Sequence, residues 1–128
     1  MNNEDRKANF INELLSRGDQ VEALEWLKGA PPGVRRSIAA MLDHDSILLI
    51  RTLYKLGAQE VVAVDIKAEA NYEWTNDLIA MLPDDPEARK AIFDFERLRE
   101  EEMGYDPDDA DEDMGQQHLL VLFPFCLD

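Results

Sequence analysis

One cysteine, two histidines and no long apolar run in 128 residues exclude several classes of protein at the outset. A lone Cys126 cannot form an intramolecular disulfide, so the fold rests on packing. His44, His118 and Cys126 are the only soft or borderline ligands, they sit on separate segments, and a structural zinc site takes four closely spaced ones. The thiol has no neighbour in sequence that would activate it as a nucleophile. The apolar stretches, residues 47–50 and 119–125 among them, are far below the ~20 residues that cross a bilayer. The first residues lack the basic and then apolar pattern of a secretory signal, so the chain is expected to be cytoplasmic. The six glycines form neither GxGxxG nor GxxxxGK[ST], which leaves nucleotide binding without a motif.

Positive charge is also scarce. Thirteen Lys and Arg face 28 Asp and Glu, a formal charge of -15, and the imbalance is local. Residues 1–56 hold 8 acidic and 8 basic side chains, residues 57–128 hold 20 and 5, and residues 100–113 hold 9 acidic and no basic ones. Such a field repels phosphate backbones and anionic membranes, and Arg35 with Arg36 is too small a basic pair to offset it, so neither nucleic acid nor membrane is an expected partner. A basic protein or a cation would be attracted. The apolar fraction of 45% with ten aromatic residues is enough to fold despite the charge, and the length suits a single domain over residues 1–128.

Periodicity divides the chain into a helical N-terminal subregion, residues 1–45, and a core, residues 46–128. Phe10, Ile11, Leu14 and Leu15 make a helical stripe ending at Gly18; Asp19 caps a short helix with Val21, Leu24 and Leu27 that ends at Gly29. Pro31 and Pro32 precede a third helix with Val34, Ile38, Met41 and Leu42, whose C-terminus His44 helps to close. Residues 47–56 are apolar nearly all round, a helix covered on most sides. Then come strands at 61–66 and 77–82 around a connection, 67–76, too long for a tight turn. Asp84 and Asp85 start a long helix that ends before Gly104, residues 105–115 form a polar loop, and residues 117–125 form a last strand with apolar side chains on both faces.

The predicted fold is α+β: N-terminal helices followed by an α-β-β-α-β unit, with a three-stranded antiparallel sheet of order 2-1-3. That arrangement resembles a ferredoxin-like split βαβ unit without its first strand, a resemblance of architecture that carries no function. Two helices cover one sheet face, and the other needs the N-terminal helices or a second copy of the chain. Residues 18–32 also resemble a tetratricopeptide helix pair, but without the repeats a solenoid requires.

Asp106, Asp108, Asp109, Asp111, Glu112 and Asp113 invite a calcium reading, yet the spacing fails. With Asp109, Asp111 and Asp113 as the first ligands of an EF-hand, Met114 stands where the turn glycine belongs and Leu120 where the bidentate glutamate belongs. No metal or other cofactor is assigned. Asp65 and Asp77, near one end of a hairpin, are a carboxylate pair able to share a proton or hold magnesium. Tyr72 and Trp74, between the strands, either cap the sheet end or anchor a partner. The expected function is a non-enzymatic, acidic protein-interaction module of inhibitor, immunity or adaptor type, binding a basic protein through Tyr72, Trp74 and the acidic loop. The competing classes are a divalent-cation-binding module or small cation-dependent enzyme using the clustered carboxylates, and a homodimeric ferredoxin-like domain that binds a small ligand.

Overall fold

A computed structural model describes residues 3–18, 20–39, 41, 43–105, 112–121 and 123. The first helix, α1 (Asn3–Ser16), buries Ile11 and Leu14, while Phe10, expected on the same stripe, is 41% exposed. A two-residue strand, β1 (Val21–Glu22), leads directly into α2 (Ala23–Lys28). Asp19, the expected cap of α2, lies outside the described residues. The cap is Glu22, whose carboxylate accepts from the Glu25 N–H at 2.8 Å and the Leu24 N–H at 3.1 Å.

Residues expected to form a third helix form instead β2 (Arg35–Ile38). The spacing of Val34, Ile38, Met41 and Leu42 suits a helix, but Ile38 and Ser37 are buried by pairing with a distant strand, and that tertiary contact decides the conformation. The next helix, α3 (Asp43–Leu56), buries Leu49, Ile50 and Leu53 but leaves Leu48 65% exposed, so it is covered on one side rather than all round. Gly57, at φ +121°, ends it.

Then follow β3 (Glu60–Val64), β4 (Lys67–Glu69), β5 (Tyr72–Thr75) and β6 (Asp77–Met81). The connection expected as a loop therefore contains a tight hairpin, β4 and β5, which Ala70 permits by adopting φ +54°. The long helix α4 (Pro86–Glu102) begins as expected, with Pro86 in its first turn and Asp85 Oδ2 capping the Ala88 N–H at 2.9 Å. The last strand is β7 (His118–Val121).

Two sheets result. An antiparallel sheet has the order β1-β3-β6-β7, and a smaller one the order β2-β5-β4, with β2 and β5 parallel. Mixed α and β structure with antiparallel pairing is as expected. The three-stranded 2-1-3 order is not: β6 lies between β3 and β7, and β1 takes the other edge of β3. The N-terminal residues thus supply a strand to each sheet as well as helices.

The reason lies after α4. A parallel crossover would have placed the last strand beside β3, but residues 113–117 lie back at the start of α4. There Arg89 bonds Asp113 and the Gln116 carbonyl, and the Leu82 N–H donates to the Gln117 carbonyl at 2.8 Å. The final strand must then run antiparallel to β6 and next to it.

The four-stranded sheet is apolar on both faces. Val61, Ala63, Leu78, Ala80, Leu119 and Val121 pack with α2, α3 and α4; Val62, Val64 and Ile79 pack against Ile11 and Leu14 of α1. An N-terminal helix thus occupies the face that a sheet-to-sheet homodimer would use.

Candidate functional site

The acidic flank is built on α4 and the returning segment. Residues 84–113 hold 14 acidic and 4 basic side chains. Three of the four bases are bonded to carboxylates of that same segment: Arg89 to Asp113 at 2.6 Å, Lys90 to Asp94 at 2.5 Å and Arg99 to Glu96 at 2.8 Å. Glu87, Glu101, Glu102 and Glu112 face solvent, as does Arg97. Asp113, expected in an open loop, is instead the counter-ion of a buried arginine, and the Arg89 guanidinium holds its carboxyl below the usual carboxylate range. Asp106, Asp108, Asp109, Asp111 and Cys126 lie outside the described residues.

Tyr72 and Trp74 stand on one face of β5, because alternate strand residues point the same way. Their rings stack at 5.1 Å with an interplanar angle of 20°, and the Arg35 guanidinium lies 5.9 Å from the Tyr72 ring. The Tyr72 hydroxyl shares a hydrogen bond with the Ser37 hydroxyl on β2. Across β4, Lys67 and Glu69 are in register with Trp74 and Tyr72. On the opposite face Arg36 ties the small sheet to α2, donating from Nε to Glu73 at 2.6 Å and from an η-nitrogen to the Trp26 carbonyl at 2.7 Å. The two aromatics are half-buried and committed to each other and to β2.

Of the expected acidic-loop residues, the two that are described, Glu112 and Asp113, lie away from the aromatic pair. Thr75 ends β5 two residues before β6 begins, whereas Asp113 is pinned by Arg89, which also donates to the Pro83 carbonyl just past the other end of β6. A five-residue strand, about 16 Å at ~3.3 Å per residue, separates the aromatic pair from Glu112 and Asp113.

Asp65 and Asp77 do come together at the β3–β6 end, but with cations. Arg17, from the end of α1, bonds Asp65 at 2.9 Å, and both Arg17 and Lys67 act on Asp77. Burial, and then the Asp65 charge, push the Asp77 carboxyl above its ordinary range. Among the described residues the Asp77 carboxylate accepts no hydrogen bond, and no three His, Cys, Asp or Glu side chains cluster as a metal site. Because the folded chain holds the ionised form of Asp77 less well than the unfolded chain does, this group costs stability at neutral pH, and the cost disappears as acid protonates it. Asp77→Asn is therefore expected to raise the thermal midpoint at pH 7, with the advantage over wild type shrinking as pH falls through the Asp77 titration. A lower midpoint at neutral pH would show that its attraction to Arg17 and Lys67 dominates.

His44 lies in the first turn of α3, not at a helix C-terminus, exposed and 3.2 Å from Asp45. His118 opens β7, where burial lowers its imidazole below the ordinary histidine value. With Gln59, Asp84 and Gln117 it lines a cleft that residue patterns did not reveal, since its members come from three separate segments. Arg36 and Arg89 were equally hidden, because in sequence each looks like an ordinary surface arginine.

No helix among the described residues is long and apolar enough to cross a membrane. The chain matches no family model and no curated protein, and its fold matches no solved structure.

Proposed function

We propose that this protein is a non-enzymatic interaction module that captures a basic protein along the flank formed by α4 and residues 112–113. The observation that carries the reading is the spatial polarisation of charge. Ten of the fifteen excess negative charges fall within residues 84–113, and the segment's own bases are largely turned onto its carboxylates. A surface of this kind accelerates encounter with a positively charged partner and discriminates against acidic ones. Tyr72 and Trp74, at the far end of the sheet and stacked on each other, serve mainly to hold β5 on β2.

The test is capture of a partner from a native extract by wild type, by a triple variant (Glu87→Gln, Glu101→Gln, Glu102→Gln) and by Trp74→Phe, at low and at about 0.5 M salt, where the Debye length falls below ~5 Å. The expected result is a basic protein bound at low salt, with an association rate about tenfold lower for the triple variant and unchanged for Trp74→Phe. Salt-independent capture, or loss with Trp74→Phe alone, would remove the acidic flank from the interaction and return the aromatic pair to it.

A further inference from the structure

A cleft of about 310 Å³ opens where β6 ends and β7 begins, lined by Gln59, Met81, Leu82, Asp84, Gln117 and His118. Strand register explains its position. Met81 pairs with Glu60 on one side and His118 on the other, so the three side chains share the face on which α1 packs. They form the rung next to Val62, Ile79 and Leu120, which pack with α1 residues Ile11, Leu14 and Leu15.

The chemistry of the walls is one-sided. Asp84 supplies a carboxylate, Gln59 and Gln117 supply amides that can accept through oxygen, and Met81 and Leu82 supply apolar surface. His118 is held below its ordinary pKa by burial, so at neutral pH its uncharged ring offers an acceptor nitrogen. No lysine or arginine is among the lining residues. Arg89, whose charge feels Asp84, has its guanidinium engaged on Asp113, the Pro83 carbonyl and the Gln116 carbonyl. A carboxylate with further acceptor groups, together with a thioether and an isobutyl group, complements a ligand with an apolar stem and a cationic head. The volume sits at the lower limit of ligand pockets, ~300 Å³, and suits one side chain rather than a larger molecule.

We propose that this cleft binds an alkyl guanidinium or alkyl ammonium group, presented as an arginine or lysine side chain of the basic partner. The identity of the bearer rests on the interaction-module reading above; the chemistry of the cleft does not. The stem lies on Met81 and Leu82 and the head meets Asp84, with exposed Glu60 and Glu112 keeping the local field negative.

The isotope-labelled full chain is titrated with Nα-acetyl-arginine amide, with neutral Nα-acetyl-glutamine amide, and with a blocked Gly-Lys-Arg-Lys-Gly peptide, following the side-chain amide resonances of Gln59 and Gln117. The expected result is saturable shifts with the arginine probe and none with the glutamine probe. Affinity should fall about tenfold in Asp84→Asn, the loss of one charged hydrogen bond, and should be unchanged in Glu69→Gln, which removes an equal charge at the other end. Tighter binding of the peptide supports a protein side chain as the occupant. Equal affinity overturns that assignment in favour of a free small cation. Absence of saturable shifts, or equal weakening by Asp84→Asn and Glu69→Gln, overturns the cleft itself. Failure to capture a basic partner from an extract would leave the arginine shifts intact, so the two readings fail separately.

Discussion

Arg89→Ala should cost about 3 kcal/mol of stability, the upper end for losing charge-assisted hydrogen bonds, here those of a buried arginine whose carboxylate partner is 41% exposed. The Arg89 side chain is 11% exposed, and the guanidinium lies 6.0 Å from the Phe93 ring while donating to Asp113, Pro83 and Gln116 at once. Truncation would leave two carbonyls without the Arg89 donor, and the Asp113 carboxylate with the Gly115 N–H alone, at the point where the chain turns back into β7. For a domain of this length that is a fall of roughly 10 °C in the thermal midpoint. Arg89→Lys keeps the charge but loses the planar fork, so it should recover less than half of the loss. Denaturant unfolding gives the free energies. Amide exchange gives a second and more local readout, with accelerated exchange at Leu82 and through β7 expected before any change in β3. A loss below about 1 kcal/mol would mean that packing of Leu119 and Val121 fixes β7 unaided. The acid side carries a further sign. Because Asp113 is held below its unfolded value, its contribution is complete above the unfolded carboxylate range and fades as pH drops through the folded one.

Gly57→Ala is the second large effect, again about 3 kcal/mol, from two causes that can be separated. The residue sits at φ +121°, where an L side chain is strained, and a Cβ would lie 2.8 Å from the Cβ of Ala88 in the first turn of α4. Gly104→Ala meets the first cause alone, at φ +92° with nothing within 4 Å, and should cost about half as much. Adding Ala88→Gly to Gly57→Ala removes the second cause. The double variant should be more stable than the sum of the two single losses predicts, and strict additivity would show that the α3–α4 contact yields without cost.

The pattern of what could be read from residues follows from the physics of each element. The helices α1, α3 and α4 carry helical stripes with glycine or proline punctuation, and β3 and β6 carry β-branched or apolar runs. These signals are local, and most of the residues that make them are buried, Phe10 and Leu48 being exceptions. The small sheet has no such signal. Arg35, Arg36, Ser37 and Ile38 in β2, and Lys67, Ala68 and Glu69 in β4, have little apolar content, and β2 is a strand only because β5 lies beside it. The sheet order was hidden for a related reason, since it depends on where residue 113 is tied, and a single arginine decides that. The acidic half could be found by counting. That Tyr72 and Trp74 stand at the opposite end from Glu112 and Asp113 could not, because the distance is set by the length and direction of β6.

The parallel pairing of β2 with β5 has a consequence for the order in which the molecule assembles. Arg35 and Tyr72 are register partners 37 positions apart, while β4 and β5 meet through a two-residue turn. Closing the longer loop costs chain entropy before any contact repays it, so the hairpin is expected to form before β2 joins it. The Ser37–Tyr72 hydrogen bond and the Arg36 link are then expected to form late in folding and to act as a latch on unfolding rather than as a nucleus for folding.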